Sequence, residues 1–222
     1  MEHHHNHHHH QGVSEITPVV SYDQGKLTIE IKDNNGYIPE LQTSHEKHMH
    51  LIIMSSDLQD YYHLHPEKHT EGVYVQKVDL PEGNYNAFVD INPKNHNYAV
   101  TPIHLKVGSV ADEQINKLKV DTKLTKTVKG KTVELITDSI KVNKEVTFTF
   151  DVKGNTPEPY LGALGHVVIT DEKGHQFIHV HPLSVNETTF VTQFDERGIY
   201  KMWVEFKFDG TVHAYPFVIE VL

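Results

Sequence analysis

The sequence predicts an all-β protein made of two tandem antiparallel β-sandwich domains, each of about seven strands. Three observations support this. Segments such as "KLTIEIK" (26–32) and "EVTFTFDV" (145–152) alternate apolar and polar residues with the two-residue period of a half-buried strand. Strand-length stretches recur every ~8–15 residues, separated by turn signals such as "DQGK", "DNNG", "LPEG", "DEKG" and "FDGT", and no amphipathic helix pattern interrupts them. The third observation is that the chain repeats itself.

The repeat is clearest in "HLIIMSSDLQDYYHLHP" (50–66) and "HVVITDEKGHQFIHVHP" (166–182). Both read His, twelve residues, then His-x-His-Pro, without a gap. Downstream, "LPEGNYNAFVD" (80–90) aligns with "DERGIYKMWVE" (195–205), keeping Gly-x-Tyr and an aromatic three residues after the tyrosine. Tyr85 and Tyr200 therefore stand where a tyrosine corner is expected in a Greek-key sandwich. Upstream, residues 26–41 resemble 145–161, and "HNY" (96–98) echoes "HAY" (213–215) once gaps are allowed. The expected organisation is a His-rich tail or affinity tag over 1–11, a first repeat over 12–108, a linker or single helical turn over 109–118, and a second repeat over 119–222.

Composition removes several classes of function. Twenty Lys and Arg against thirty Asp and Glu give a net charge of −10, with Arg197 the single arginine. Such a surface repels phosphate backbones, so no nucleic-acid partner is expected. No apolar run approaches the ~20 residues of a membrane-spanning helix. The start shows no charged segment followed by an apolar run, so the expected location is extracytoplasmic if a signal has been removed and cytoplasmic if Met1 is native. Cysteine is absent, which excludes disulfides, thiolate zinc sites, iron–sulfur clusters and cysteine-ligated blue copper.

Histidine is abundant instead, with twenty residues, seven of them in "HHHNHHHH". A tight turn centred on Ser56–Asp57 makes His50 the direct cross-strand partner of His63, and one centred on Glu172–Lys173 does the same for His166 and His179. His65 and His181, two residues further on, return to the same face. Leu51, Ile53, Tyr62 and Leu64 then face the core of the first repeat, as do Val167, Ile169, Ile178 and Val180 in the second. Pro66 and Pro182 end the strand, because proline cannot donate to a ladder. The expected metal ligands are His50, His63 and His65, with His166, His179 and His181; further candidates are His96, His213 and His48. Imidazole sets of this kind suit copper or zinc and not calcium or magnesium.

The stretch "EPYLGALGHVVI…FIHVHP…GIYKMWVEF…FVIEV" (158–221), with "HMHLIIMSSDLQDYYHLHP" in the first repeat, resembles Ig-like or cupredoxin-like sandwich domains of the bacterial cell envelope. That resemblance implies envelope location and association with metals. The expected function is non-enzymatic: sequestration or delivery of copper or zinc through one three-histidine cluster per repeat. The alternative is an Ig-like adhesion or structural module whose histidines are structural or sense pH. A cupin- or superoxide-dismutase-like metalloenzyme fits less well. The cupin glycine is replaced by Asp57 and Lys173, no glutamate lies four or five residues beyond His65 or His181, and no nucleophile or general base is evident.

Overall fold

A computed structural model describes residues 13–110, 117–180 and 182–222. The tail expected over 1–11 and most of the linker expected over 109–118 lie outside the described residues, as does His181. The described residues are all-β and divide into two compact units, the second spanning Lys117–Leu222. Among them, no helix is long and apolar enough to cross a membrane.

In the first unit, β1 (Val19–Asp23) and β2 (Lys26–Glu30) form a hairpin, followed by the short β3 (Leu41–Gln42). The histidine hairpin is β4 (Met49–Ser55) and β5 (Tyr61–Leu64). Then come β6 (Glu67–Thr70), β7 (Val73–Lys77), β8 (Gly83–Pro93) and β9 (Ile103–Val107). One sheet has the order β1-β2-β7-β6; the other is β3-β8-β4-β5, with β9 also paired to β8. The second unit contains β10 (Thr125–Val128), β11 (Lys131–Ile136), β12 (Glu145–Asp151), β13 (Gly165–Asp171), β14 (Ile178–Val180), β15 (Thr189–Gln193), β16 (Gly198–Phe208) and β17 (Thr211–Val221). Its sheets are β10-β11-β12-β15 and β14-β13-β16-β17.

The described residues thus hold nine and eight strands, against about seven expected per repeat. Part of the excess is short or wholly exposed: β3 has two residues and every residue of β6 is exposed. Such pieces leave no alternation of apolar and polar residues to read. The two units share a core of strand pairings, β1-β2-β7 matching β11-β12-β15 and β5-β4-β8-β9 matching β14-β13-β16-β17, while β3, β6 and β10 are strands in one unit only. Lys26 pairs with Lys77 as Glu145 pairs with Gln193, and Leu51 pairs with Val89 as Val167 pairs with Val204.

Each core is filled by alternate residues of facing strands. In the first unit Leu27 and Ile29 of β2 meet Leu51 and Ile53 of β4 and Val89 of β8, with Tyr62 and Leu64 packed against them. In the second, Phe148 and Phe150 of β12 join Val167, Ile169, Phe206 and Phe217. The expected core faces of both histidine hairpins are therefore present. Both tyrosine corners form too: Tyr85 Oη donates to the Pro81 carbonyl at 2.8 Å, and Tyr200 Oη to that of Glu196 at 3.0 Å.

Candidate metal centre

The histidine hairpin is looser than a two-residue turn. Leu51 pairs with Leu64, Ile52 with His63 and Met54 with Tyr61, so His63 lies opposite Ile52 and not opposite His50. The second unit is shifted equally, with Val167 opposite Val180 and Val168 opposite His179. The cause is the loop between the strands. Ser55 N donates to the Asp60 carbonyl at 3.0 Å, Asp57 Oδ1 accepts Ser55 Oγ at 2.6 Å and Gln59 N at 3.1 Å, and Leu58 takes a left-handed φ of 57°. In the second unit the Asp171 carboxylate caps the loop through His175 N and Gln176 N, at 2.6 and 2.7 Å. The shift is two residues, one full strand period, so the histidines stay on one face.

Extending the first register by one pair sets His65 opposite His50, and their rings lie 5.0 Å apart. The His50–His63 and His63–His65 centroids are separated by 5.3 and 4.7 Å. One ring nitrogen from each of the three lies within 4.8 Å of the others. His50 Nδ1 is already 3.1 Å from His63 Nε2, close to the ~3.3 Å between nitrogens bound to one ion at ~2.0–2.1 Å with tetrahedral angles. Immediately after the cluster, Pro66 separates β5 from β6, where the chain leaves one sheet for the other. Pro182 bridges to Phe190 of β15, so the second unit crosses between its sheets at the same place.

A second element orients the first histidine of each set. His50 Nε2 lies 3.0 Å from the Ser44 carbonyl, and His166 Nε2 lies 2.9 Å from that of Tyr160. A carbonyl only accepts, so Nε2 carries the proton and Nδ1 presents its lone pair to the cluster. Both carbonyls sit at tight turns with two consecutive left-handed residues: His45 and Glu46 (φ 47° and 66°), and Leu161 and Gly162 (φ 52° and 77°). Non-glycine residues in this region carry strain of about 1–2 kcal/mol. Glu46→Gly, which installs the second unit's residue, is expected to stabilise the first unit by up to ~1 kcal/mol; a lowered melting temperature would contradict this account of the turn.

In the second unit His166 and His179 are 0% and 9% exposed with ring centroids 6.0 Å apart. The third expected ligand, His181, lies outside the described residues. The further candidates lie elsewhere. His96 occupies the loop after β8, with Nδ1 2.8 Å from the Lys94 carbonyl and Nε2 3.6 Å from Asp33. His213 pairs with core residue Phe206, so it lies on the core face of its sheet, with Nδ1 3.2 Å from the Val128 carbonyl. His166 pairs with Val204's neighbour Glu205 on the opposite face of the same sheet. The gapped match of "HNY" to "HAY" thus joined a loop to a strand. His48 is exposed and lines a cleft with Glu40, Lys68 and Tyr74.

Burial, with a smaller contribution from His50, pulls the His63 imidazole down from 6.5 to about 3, and the Asp90 charge partly opposes this. His63 is therefore neutral at physiological pH, the form a metal ligand requires.

Two sandwiches with matching histidine hairpins define the class: a tandem β-sandwich protein with a three-histidine cluster in its first repeat. The chain belongs to the family described as "Domain of unknown function (DUF8832)", which matches residues 5–108 and again residues 126–222. No curated protein matches the chain significantly. Among solved structures it is similar to the FN1–FN3 domains of chicken CNTN1, with 12% identity and a TM-score of 0.28, covering 94% of this chain and 66% of that one. It is also similar to the BSP domain of "Biofilm associated protein", with 10% identity and a TM-score of 0.26, covering 92% of this chain and 29% of that one. The chain thus spans under two thirds of the length of either structure.

Proposed function

We propose that this protein binds a transition metal, copper or zinc, and sequesters or delivers it without catalysing a reaction. One site uses His50, His63 and His65; the other uses His166, His179 and His181. The observation that carries the proposal is the convergence of three imidazole nitrogens within 4.8 Å, together with the Ser44 carbonyl that aims the His50 lone pair at the others. Imidazole-only sets favour copper and zinc over hard cations. A cell-envelope location is part of the same proposal, as is the absence of enzymatic activity.

The alternative is a structural or adhesion module in which the histidines brace the hairpin. The His50–His63 contact at 3.1 Å favours it. Metal titration separates the two. In a full-length background with the seven tail histidines replaced by alanine, calorimetry with zinc and with copper is expected to show two sites of micromolar or tighter affinity. Absence of binding in that range would sink the metal proposal and leave the structural one.

A further inference from the structure

A further imidazole stands beside the first cluster without belonging to it. The ring of His45 lies edge-on to that of His50, with centroids 6.2 Å apart and planes at 67°. Among the described residues, the ligand atoms within 4.8 Å of one another are those of His50, His63 and His65, so His45 is not a fourth member. It stands about 1 Å further from His50 than His63 does, a gap that rotation about a side-chain bond covers. The backbone holds it there. Ser44 and Lys47 exchange hydrogen bonds at 2.8 and 3.0 Å across the turn, and the Ser44 carbonyl, one residue before His45, lies 3.0 Å from His50 Nε2. The second unit builds the same turn without an imidazole. Tyr160 and Ala163 make the equivalent pair of bonds at 2.7 and 3.3 Å, and Leu161 takes the place of His45 with nearly the same φ, 52° against 47°. The edge-on ring against His166 comes from Tyr160 instead, at 5.6 Å. Burial, and then the Glu205 charge, pushes the Tyr160 phenol up, so it stays protonated and offers no anionic oxygen. Neither the turn nor the ring packing therefore requires a histidine at position 45. What His45 adds is a nitrogen donor.

We propose that His45 is the exchange ligand of the first site, the donor through which a divalent ion enters and leaves the set of His50, His63 and His65. This rests on the metal-binding proposal above. An ion released straight to solvent loses its protein bonds with no protein donor to replace them. With His45 in reach, its unprotonated nitrogen forms a bond to the ion as one cluster histidine gives up its own. The lone pair of the departing histidine returns to it, and no proton or electron changes hands. Zn²⁺ suits such a handover, because it has no d-electron preference for one geometry and expands to five ligands. A donor engaged only during the handover lowers the barrier in both directions by the same amount. Entry and exit therefore quicken together, and the affinity of the resting site stays as the three histidines set it.

The test is stopped-flow transfer of zinc to and from a colorimetric chelator, in the full-length background lacking tail histidines. The first site's phase is the one missing when His63 and His65 are both alanine. His45→Leu, which installs the second unit's residue, is expected to slow loading and release at that site by about tenfold each, with zinc affinity within about threefold of the parent's. Free imidazole supplies the missing donor, so it should quicken the variant by a larger factor than the parent. Rates within about twofold of the parent's overturn this inference and leave the metal-binding proposal intact. Affinity weakened by about tenfold or more, with release faster instead of slower, makes His45 a resident ligand and overturns it as well. A parent that takes up no zinc removes the metal-binding proposal itself, and this inference with it. If His45→Leu unfolds by circular dichroism, His45→Asn, which suits a left-handed backbone, carries the same comparison with the same outcomes.

Discussion

Alanine at both His63 and His65 is expected to abolish high-affinity metal binding by the first repeat while leaving the second repeat's site in place. The loss should exceed the ~10–100-fold that follows removal of an outer-shell partner, since two ligand bonds disappear. Calorimetry should therefore read one metal where the parent reads two. Unchanged stoichiometry would refute the assignment of these residues. The same substitutions have a second consequence for the metal-free protein. Folding lowers the His63 value from 6.5 to about 3. Between those values the unfolded chain takes up a proton that the folded chain refuses, so stability is complete above about pH 6.5 and falls as the pH drops toward 3. At ~1.4 kcal/mol per pKa unit, and discounting for the side chain's partial exposure, the loss over that range is about 2–4 kcal/mol. Urea unfolding at pH 7 and pH 4 should show this slope in the parent and a flatter one in His63→Ala. An unchanged slope would mean that some other group dominates acid sensitivity.

Phe150→Ala is expected to destabilise the second unit by about 3–5 kcal/mol, the usual range for emptying a buried aromatic site. Phe150 lies between the two sheets, with ring centroids 5.7, 5.8 and 6.0 Å from those of Phe190, Phe206 and Phe217. It is 2% exposed, so its removal leaves a cavity that three rigid rings fill poorly. Trp203, the single tryptophan of the chain, lies in the same unit, so its fluorescence in urea reports this transition. Since domains are stable by only ~5–15 kcal/mol, the change consumes a large share of the total. Phe150→Leu, which retains most of the volume, should cost less. A loss below ~1 kcal/mol for the alanine variant would show that this aromatic contact is not what joins the sheets.

Much of the molecule is legible in one dimension because the relevant signals are local. Alternation in "KLTIEIK" and "EVTFTFDV" marks β2 and β12, and the ungapped match of residues 50–66 to 166–182 marks two equivalent hairpins. Face assignment also survived. Leu51, Ile53 and Leu64 point to the core, so His50, His63 and His65 share the other side, as strand period demands. The register differs from the expected one because the connection between Ser55 and Tyr61 is a five-residue loop closed by the Asp57 carboxylate, not a tight turn. Only the even size of the slip preserved the cluster. His96 and His213 fall in unlike elements, a loop and β17, because a gapped match says nothing about which residues lie in a strand.

The pairing of His50 with Asp90 and of His166 with Glu205 is not legible in one dimension, for a different reason. Asp90 and Glu205 occupy aligned positions at the ends of "LPEGNYNAFVD" and "DERGIYKMWVE", but no local pattern connects them with histidines about forty residues earlier. By itself, the sequence determined the strand class, the duplication, the core faces and the three histidines that meet in the first repeat, all of which follow from side-chain periodicity and chemistry within a few residues. Tertiary structure alone decided which strand lies beside the histidine strand, and so which charge faces it. That choice is made by burial of apolar faces between whole sheets, and the pairing of His50 with Asp90 is a consequence of that packing.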